Sequence, residues 1–268
     1  MKRIAWTSDI HLDRLIERDY AEFKEHLEEL NPECLLISGD IAEGDVVYKS
    51  LKDFNDAFSF PIYFVLGNHD FYFGRFEEIK REIRGLVSAC KNIHWLSECG
   101  VVALNQSTAL IGIEGWGDGQ YAPVAESGLA IPKDFFTIKD LAELKREQFG
   151  SYINKLGEAS AKSLRPVLLE AVNNYEKIIF VTHVPPFREA SLDRSGRICD
   201  DIKVPFYTCK AIGDLLLEVM SSNPSCQMTV LCGHTHEKCE VQILENLRVR
   251  VKDASYGSWW DATIINLD

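Results

Sequence analysis

The chain has 268 residues, 46% of them hydrophobic, which is ample for the core of one large α/β domain. Its net charge of −12 argues against a broad nucleic-acid-binding surface, because that would need Lys and Arg to displace phosphate counterions. No apolar run approaches a membrane span, so a cytoplasmic protein without a membrane partner is expected.

Residues 3–7 predict a first strand, and Asp9 and His11 follow it at once, leaving no room for a leader pattern. Ile16, Tyr20, Phe23, Leu27 and Leu30 then recur at steps of four and three. That spacing puts one apolar stripe on a helix ending before Pro32. The scheme repeats with a strand at 34–37 and a stripe of Val47, Leu51, Phe54 and Phe58. It repeats again with a strand at 62–66 and a stripe of Phe76, Ile79, Ile83 and Leu86. Such β-α-β-α-β-α order implies parallel strands with right-handed crossovers.

The middle changes character. Residues 101–104 and 108–113 flank Asn105-Gln106-Ser107 as a hairpin would. The Gly-rich run 115–119 follows a hairpin and lacks an onward βαβ unit, so it does not read as a dinucleotide loop. Its Trp116 and Asp118 are candidates for lining a substrate cleft; a surface loop with a buried Trp is the alternative. Residues 133–175 read as helical, with Leu164, Leu168, Ala171, Val172 and Tyr175 as a stripe and Pro166 expected to start or kink the helix. A strand at 177–181 leads to His183 and then to a polar segment, 185–205. Its Arg188, Arg194 and Arg197 either grip phosphate oxygens or are simply solvated.

A helix through Ile212, Leu215, Leu216 and Val219, a strand at 228–232 and antiparallel pairing over 241–243, 249–251 and 263–265 complete the chain. Tyr256, Trp259 and Trp260 form a late aromatic group that stacks a base or seals the core. His26 and His94 lie outside any motif and read as structural. The eight cysteines lack Cys-x-x-Cys spacing and read as reduced thiols. No linker or repeat divides the chain, so a single domain over 1–268 is expected.

The chemistry collects where the strands end. Asp9-Ile10-His11, Gly39-Asp40, Gly67-Asn68-His69-Asp70, His183 and Gly233-His234-Thr235-His236 each follow an apolar run, where open α/β sheets bind ligands. Each residue alone has an ordinary reading as a helix cap, a turn or a core histidine. In ordered combination, carboxylate, imidazole and amide oxygen make a ligand set suited to manganese, iron or zinc.

The order Asp-x-His, Gly-Asp, Gly-Asn-His-Asp, His, Gly-His-x-His resembles the calcineurin-like metallophosphoesterase superfamily over Asp9 to His236. The resemblance implies a four-layer αββα sandwich with two divalent metals at the C-terminal ends of the central strands. It places one metal on Asp9, His11, Asp40 and His236. The second falls to Asp40, Asn68, His183 and His234, with Asp40 bridging. It further implies hydrolysis of a phosphomonoester or phosphodiester by a metal-bridging hydroxide, with His69 protonating the leaving oxygen or stabilising the transition state.

In the protein-phosphatase branch an Asp three residues after the metal-binding Asp orients that histidine. Glu43 occupies the place here, with Asp70 as the other candidate. That branch also carries Gly-Asp-x-x-Asp-Arg-Gly, whereas this chain reads Gly39-Asp40-Ile41-Ala42-Glu43-Gly44-Asp45 and lacks the arginine. A small soluble substrate such as a nucleotide is therefore expected, on the phosphodiesterase side of the superfamily. The competing expectation is a non-catalytic scaffold of the same fold that binds a protein partner. Retention of His69 and of the full ligand set weighs against it.

Overall fold

The structure is a computed structural model that describes residues 2–124, 131–257 and 262–267. Its first sheet is built by β1 (Lys2–Thr7), β2 (Cys34–Ser38), β3 (Ile62–Val65) and β4 (Ile93–Trp95), all parallel, linked by helices α1 (Glu17–Leu30), α2 (Asp45–Ala57) and α3 (Phe76–Ala89). The short α4 (Leu96–Cys99) leads to the second sheet, which opens with the hairpin β5 (Val102–Ala103) and β6 (Thr108–Gly112). Two single-turn helices, α5 (Asp134–Thr137) and α6 (Lys139–Ala142), precede the long α7 (Arg146–Asn174) and the strand β7 (Lys177–Val181). After α8 (Val204–Tyr207) and α9 (Lys210–Ser221) come β8 (Gln227–Cys232), β9 (Cys239–Leu244), β10 (Leu247–Val251) and β11 (Thr263–Leu267). Strand order is β11-β1-β2-β3-β4 in one sheet and β5-β6-β7-β8-β10-β9 in the other.

Period-2 alternation decides which way each strand faces. In the first sheet Ala5, Leu35, Ile37, Ile62 and Phe64 pack under the helices with Phe23, Leu27, Val47, Leu51, Phe54 and Ile83. Their neighbours Ile4, Trp6, Leu36 and Val65 point the other way, onto Leu110, Ile179, Val181 and Leu231 of the second sheet. The opposite face of that sheet, with Ala109, Ile111, Ile178, Phe180 and Val230, meets Leu164 and Leu168 of α7 and Ile212, Leu216 and Val219 of α9. Three apolar cores thus separate four layers, and the fold is the αββα sandwich. The strands buried on both faces are those whose sequences read as continuous apolar runs.

Several local expectations are corrected. Ile16 precedes α1 rather than joining its stripe and is 61% exposed. Pro166 does not start a helix, since α7 runs through it. Pro166 and Lys162 both face solvent, so the Lys162 carbonyl that loses its donor is accessible to water. β9 and β10 pair antiparallel as expected, but the terminal strands do not form one antiparallel unit. β10 runs parallel to β8, whereas β11 crosses to the first sheet and pairs antiparallel with β1. All eight cysteines are free thiols. Among the described residues no helix is long and apolar enough to cross a membrane.

Candidate metal centre

The loops that leave β1, β2, β3, β7 and β8 bring the predicted ligands to one end of the sandwich. Tight backbone makes this possible: Asp9, His11, Asp40, His234 and His236 all have positive φ, between 42° and 71°. Non-glycine residues seldom adopt that conformation, and such strain concentrates at functional sites. The glycines in the same motifs serve close approach. A Cβ on Gly39 would stand 2.5 Å from Nδ1 of His183, one on Gly67 would collide with Asp40 Oδ1 and the Asp40 backbone N, and one on Gly233 would collide with Asp9 and Ser8. Gly67→Ala should therefore displace Asp40, costing about 1–3 kcal/mol of stability in urea denaturation and weakening cation binding in calorimetric titration. Unchanged values in both would show that the loop gives way freely.

Two groups of ligand atoms form. In the first, one atom from each of Asp9, His11, Asp40 and His236 lies within 4.8 Å of the others. His11 Nε2 faces His236 Nε2 at 3.4 Å and Asp40 Oδ2 at 3.8 Å, while its buried Nδ1 has no hydrogen-bond partner among the described residues. In the second, Asn68 Oδ1 stands 3.0 Å from His183 Nε2 and 3.0 Å from His234 Nδ1, which are themselves 3.2 Å apart. Asp40 joins them, since its Oδ2 faces the first group and its Oδ1 lies 3.4 Å from His183 Nε2.

Hydrogen bonds outside the second group fix which atoms face in. His183 Nδ1 donates to the Ser38 carbonyl at 2.9 Å and His234 Nε2 donates to the Phe206 carbonyl at 3.0 Å. Asn68 Nδ2 donates to Asp134 Oδ1 at 2.9 Å, which turns the amide oxygen inward. Lone pairs on two imidazoles and one amide thus converge, and a positive charge must lie among them. A proton supplies it when burial, which opposes charge on His183, is outweighed by the Asp40 and Asp9 carboxylates, raising that imidazole to about 10. A divalent cation supplies it equally well, and the imidazole–carbonyl bonds are the outer contacts that orient metal-binding histidines. Burial opposes ionisation of Asp9 too, yet His236 and His183 bring it down to about 2. Burial holds His11 and His234 down to about 4, neutral and able to ligate. The residues present therefore fit two cations.

His69 lies between the groups and the solvent, 8% exposed, with Nε2 at 3.9 Å from Asp40 Oδ2 and at 3.4 Å from the Tyr72 hydroxyl. Its Nδ1 is 3.2 Å from Glu43 Oε1. The same oxygen accepts from Arg14 at 2.5 Å and from Lys133 Nζ at 3.2 Å. Burial works against charge on Glu43, but these two cations pull its pKa below the usual carboxylate value.

Asp70, the other carboxylate considered for His69, instead accepts from the backbone amides of Ile41, Ala42 and Gly67 at 2.7–2.9 Å and ties the second and third loops together. Asp70→Ala would strand three buried N–H groups. At about 1–3 kcal/mol for each unsatisfied donor, it should destabilise the fold by several kcal/mol in urea denaturation. A loss under about 1 kcal/mol would contradict that bracing role.

Other sequence candidates divide. Trp116 is 8% exposed and lines a small cavity with Asn68, Asp134, Phe206 and His234, while packing on Phe71 and Phe76. Asp118 is corrected from cleft to scaffold: fully buried, it accepts from the amides of Gln120 and Ala211 and anchors the start of α9. Arg188 is committed to Asp201 and the Cys199 carbonyl, and Arg197 to Ser195. Arg194 lines an open cleft with His234 and His236. Tyr256 packs its ring 4.5 Å from that of His11 and 4.9 Å from that of His236, under the Arg14 guanidinium. Trp259 and Trp260 lie outside the described residues.

Sequence reasoning missed Arg14, Tyr72, Lys133 and Asp134. Arg14 and Tyr72 follow His11 and His69 by three residues, but nothing in the sequence links Lys133 or Asp134 to ligands some 60 or more residues away.

A family model described as calcineurin-like phosphoesterase matches residues 2–238. No curated protein matches the sequence significantly. Among solved structures, the chain is similar to a phosphopantetheinyl hydrolase from Mycobacterium tuberculosis at 13% identity, with a TM-score of 0.65 over 95% of this chain and 90% of that one. It is similar to a dimetal phosphatase from Danio rerio at 12% identity, with a TM-score of 0.58 over 94% of this chain and 87% of that one. A third match is GAP50, the anchor in the inner membrane complex of Plasmodium, at 13% identity, with a TM-score of 0.52 over 99% of this chain and 77% of that one. At these identities the likeness speaks to the fold.

Proposed function

The chain belongs to the calcineurin-like phosphoesterase family, and on that premise we propose that it is a metal-dependent hydrolase of a small soluble phosphodiester or phosphomonoester. The observation that carries this reading is the pair of ligand groups sharing Asp40, with opposite oxygens of one carboxylate facing His11 and His183. Asp9, His11, Asp40 and His236 would hold one divalent cation, and Asp40, Asn68, His183 and His234 the other. Such cations would offset charge on phosphoryl oxygens and acidify a water molecule.

The remaining steps belong to the protein. His69 is the proton donor in this reading: its Nε2 points toward the ligand groups, and an imidazole can pass a proton to a leaving oxygen near neutral pH. Glu43 accepts from the ring's Nδ1–H and so holds Nε2 toward the reacting group; as proton donor the ring carries hydrogen on both nitrogens and passes the one on Nε2 to the leaving oxygen. Arg14 and Lys133 keep Glu43 ionised and in place. Tyr72 packs against the same ring at 4.3 Å between centroids and limits its rotation. Asp134 holds both the Asn68 amide and the Tyr72 hydroxyl, bracing a metal ligand and the wall of the acid site together.

The test is to strip divalent ions, restore manganese, and compare hydrolysis of an aryl phosphodiester with that of an aryl phosphomonoester. Metal-dependent cleavage of either supports the reading, and the faster of the two assigns the ester class. Cleavage of neither, with both cations bound, would favour a non-catalytic scaffold.

A further inference from the structure

Beside the second ligand group lies a cleft of about 280 Å³, lined by His234, His236, Arg194, Lys203, Tyr207 and Tyr256 together with Leu192, Asp193 and Cys199. Its size is just under the ~300 Å³ at which pockets for small organic ligands begin. We infer that this cleft holds a second phosphate and the attached nucleoside of a nucleotide-type substrate whose reacting phosphate sits at the metals. This deepens the phosphoester reading and rests on it.

Charge supports the second phosphate. Arg194 has no carboxylate partner among the described residues, whereas Arg188 and Arg197, on the same segment, are each tied down locally. Among the described residues Lys203 has only a loose carboxylate contact, with Asp193 at 3.8 Å. Asp193, the one carboxylate of the cleft wall among the described residues, accepts on Oδ1 from the Ser195 amide and hydroxyl and the Arg197 amide, and its Oδ2 faces Lys203. The wall therefore offers a guanidinium fork and a second cation in a chain whose net charge is −12.

Shape supports an organic group beyond it. Two metal-ligating histidines form the inner end, so a phosphate at the metals opens directly into the cleft. Tyr207 lies against the ring of His234 at 5.1 Å and Tyr256 against that of His236 at 4.9 Å, so two aromatic rings line the cleft beside the metal-binding end. Stacking on such faces tolerates any base.

The experiment is calorimetric titration of the manganese-loaded protein with AMP and with ADP, each as its uncleavable methylene phosphonate analogue, at buffered free manganese, reading the ratio of the two dissociation constants. In the wild type ADP should bind roughly tenfold or more tightly than AMP, the scale of one charge-assisted contact. In Arg194→Ala/Lys203→Ala the ratio should fall to near one. Arg194→Lys should keep part of it, and Arg197→Ala all of it. A wild-type ratio near one, or an unchanged ratio in the double variant, would overturn the inference. AMP must bind the double variant about as tightly as the wild type, which excludes a general loss of fold or metal as the source of a ratio near one. Metal-dependent aryl ester cleavage together with a ratio near one would sink the subsite alone. Absent cleavage with both cations bound would sink the phosphoester reading, and the subsite with it.

Discussion

Asp40→Asn should lose most cation binding at both positions and nearly all turnover. The side chain keeps its shape, and its remaining oxygen can still accept from the His69 amide, which it does at 2.9 Å. What disappears is the negative charge shared between the two ligand groups. No other residue in the set faces both, so this change should cost more than the roughly 10–100-fold in metal affinity that loss of an outer contact costs. Manganese titration by calorimetry or electron paramagnetic resonance reads occupancy directly, with hydrolysis measured on the same samples. Two tightly bound ions with undiminished turnover would show that Asp40 does not bridge. Asp134→Ala is the informative comparison. It leaves every proposed ligand in place but frees the Asn68 amide to rotate, so it should weaken the second cation without removing the first.

That contrast marks where the sequence stops being readable. Asp9, Asp40, Asn68, His183 and His234 could be found because each follows a strand whose apolar run is unmistakable, and because the topology gathers strand ends whatever lies between them. The layers were expected from the family resemblance alone; the strands read only as apolar on both faces, and it is packing that sends Ala5 and Trp6, one position apart, into different cores. Asp134 and Lys133 carry no such signal. They reach the site because residues 132–138 lie across the third loop, held by the Phe73 amide on the Thr137 carbonyl at 3.0 Å. Contacts of that kind depend on packing between segments far apart in the chain. Asp118 failed in the opposite direction, since glycines around an acidic residue suggest an open loop, whereas here they permit tight burial: a Cβ on Gly157 of α7 would stand 2.5 Å from Asp118 Cβ. Arg194 was indistinguishable in sequence from Arg188 and Arg197. Its place in the cleft wall, and the pairing of the other two with Asp201 and Ser195, separate it from them.

His69→Ala should leave both cations bound and lower kcat by about 10²–10⁴-fold, the usual range for a lost general acid. The argument is geometric. Neither ligand group contains His69, yet its Nε2 lies 3.9 Å from Oδ2 of Asp40, the carboxylate that the two groups share. Intact turnover with intact metal would remove it from the reaction; lost metal would make it a ligand. Glu43→Gln then separates orientation from structure. An amide oxygen can still accept from Nδ1, but Arg14 and Lys133 lose the charge that holds the group. The expected result is a fall in kcat with KM and metal affinity little changed, restored in part by Glu43→Asp. If instead thermal stability and kcat drop together and Glu43→Asp restores neither, Glu43 is a strut between Arg14 and Lys133, and the orientation of His69 rests on Tyr72 alone.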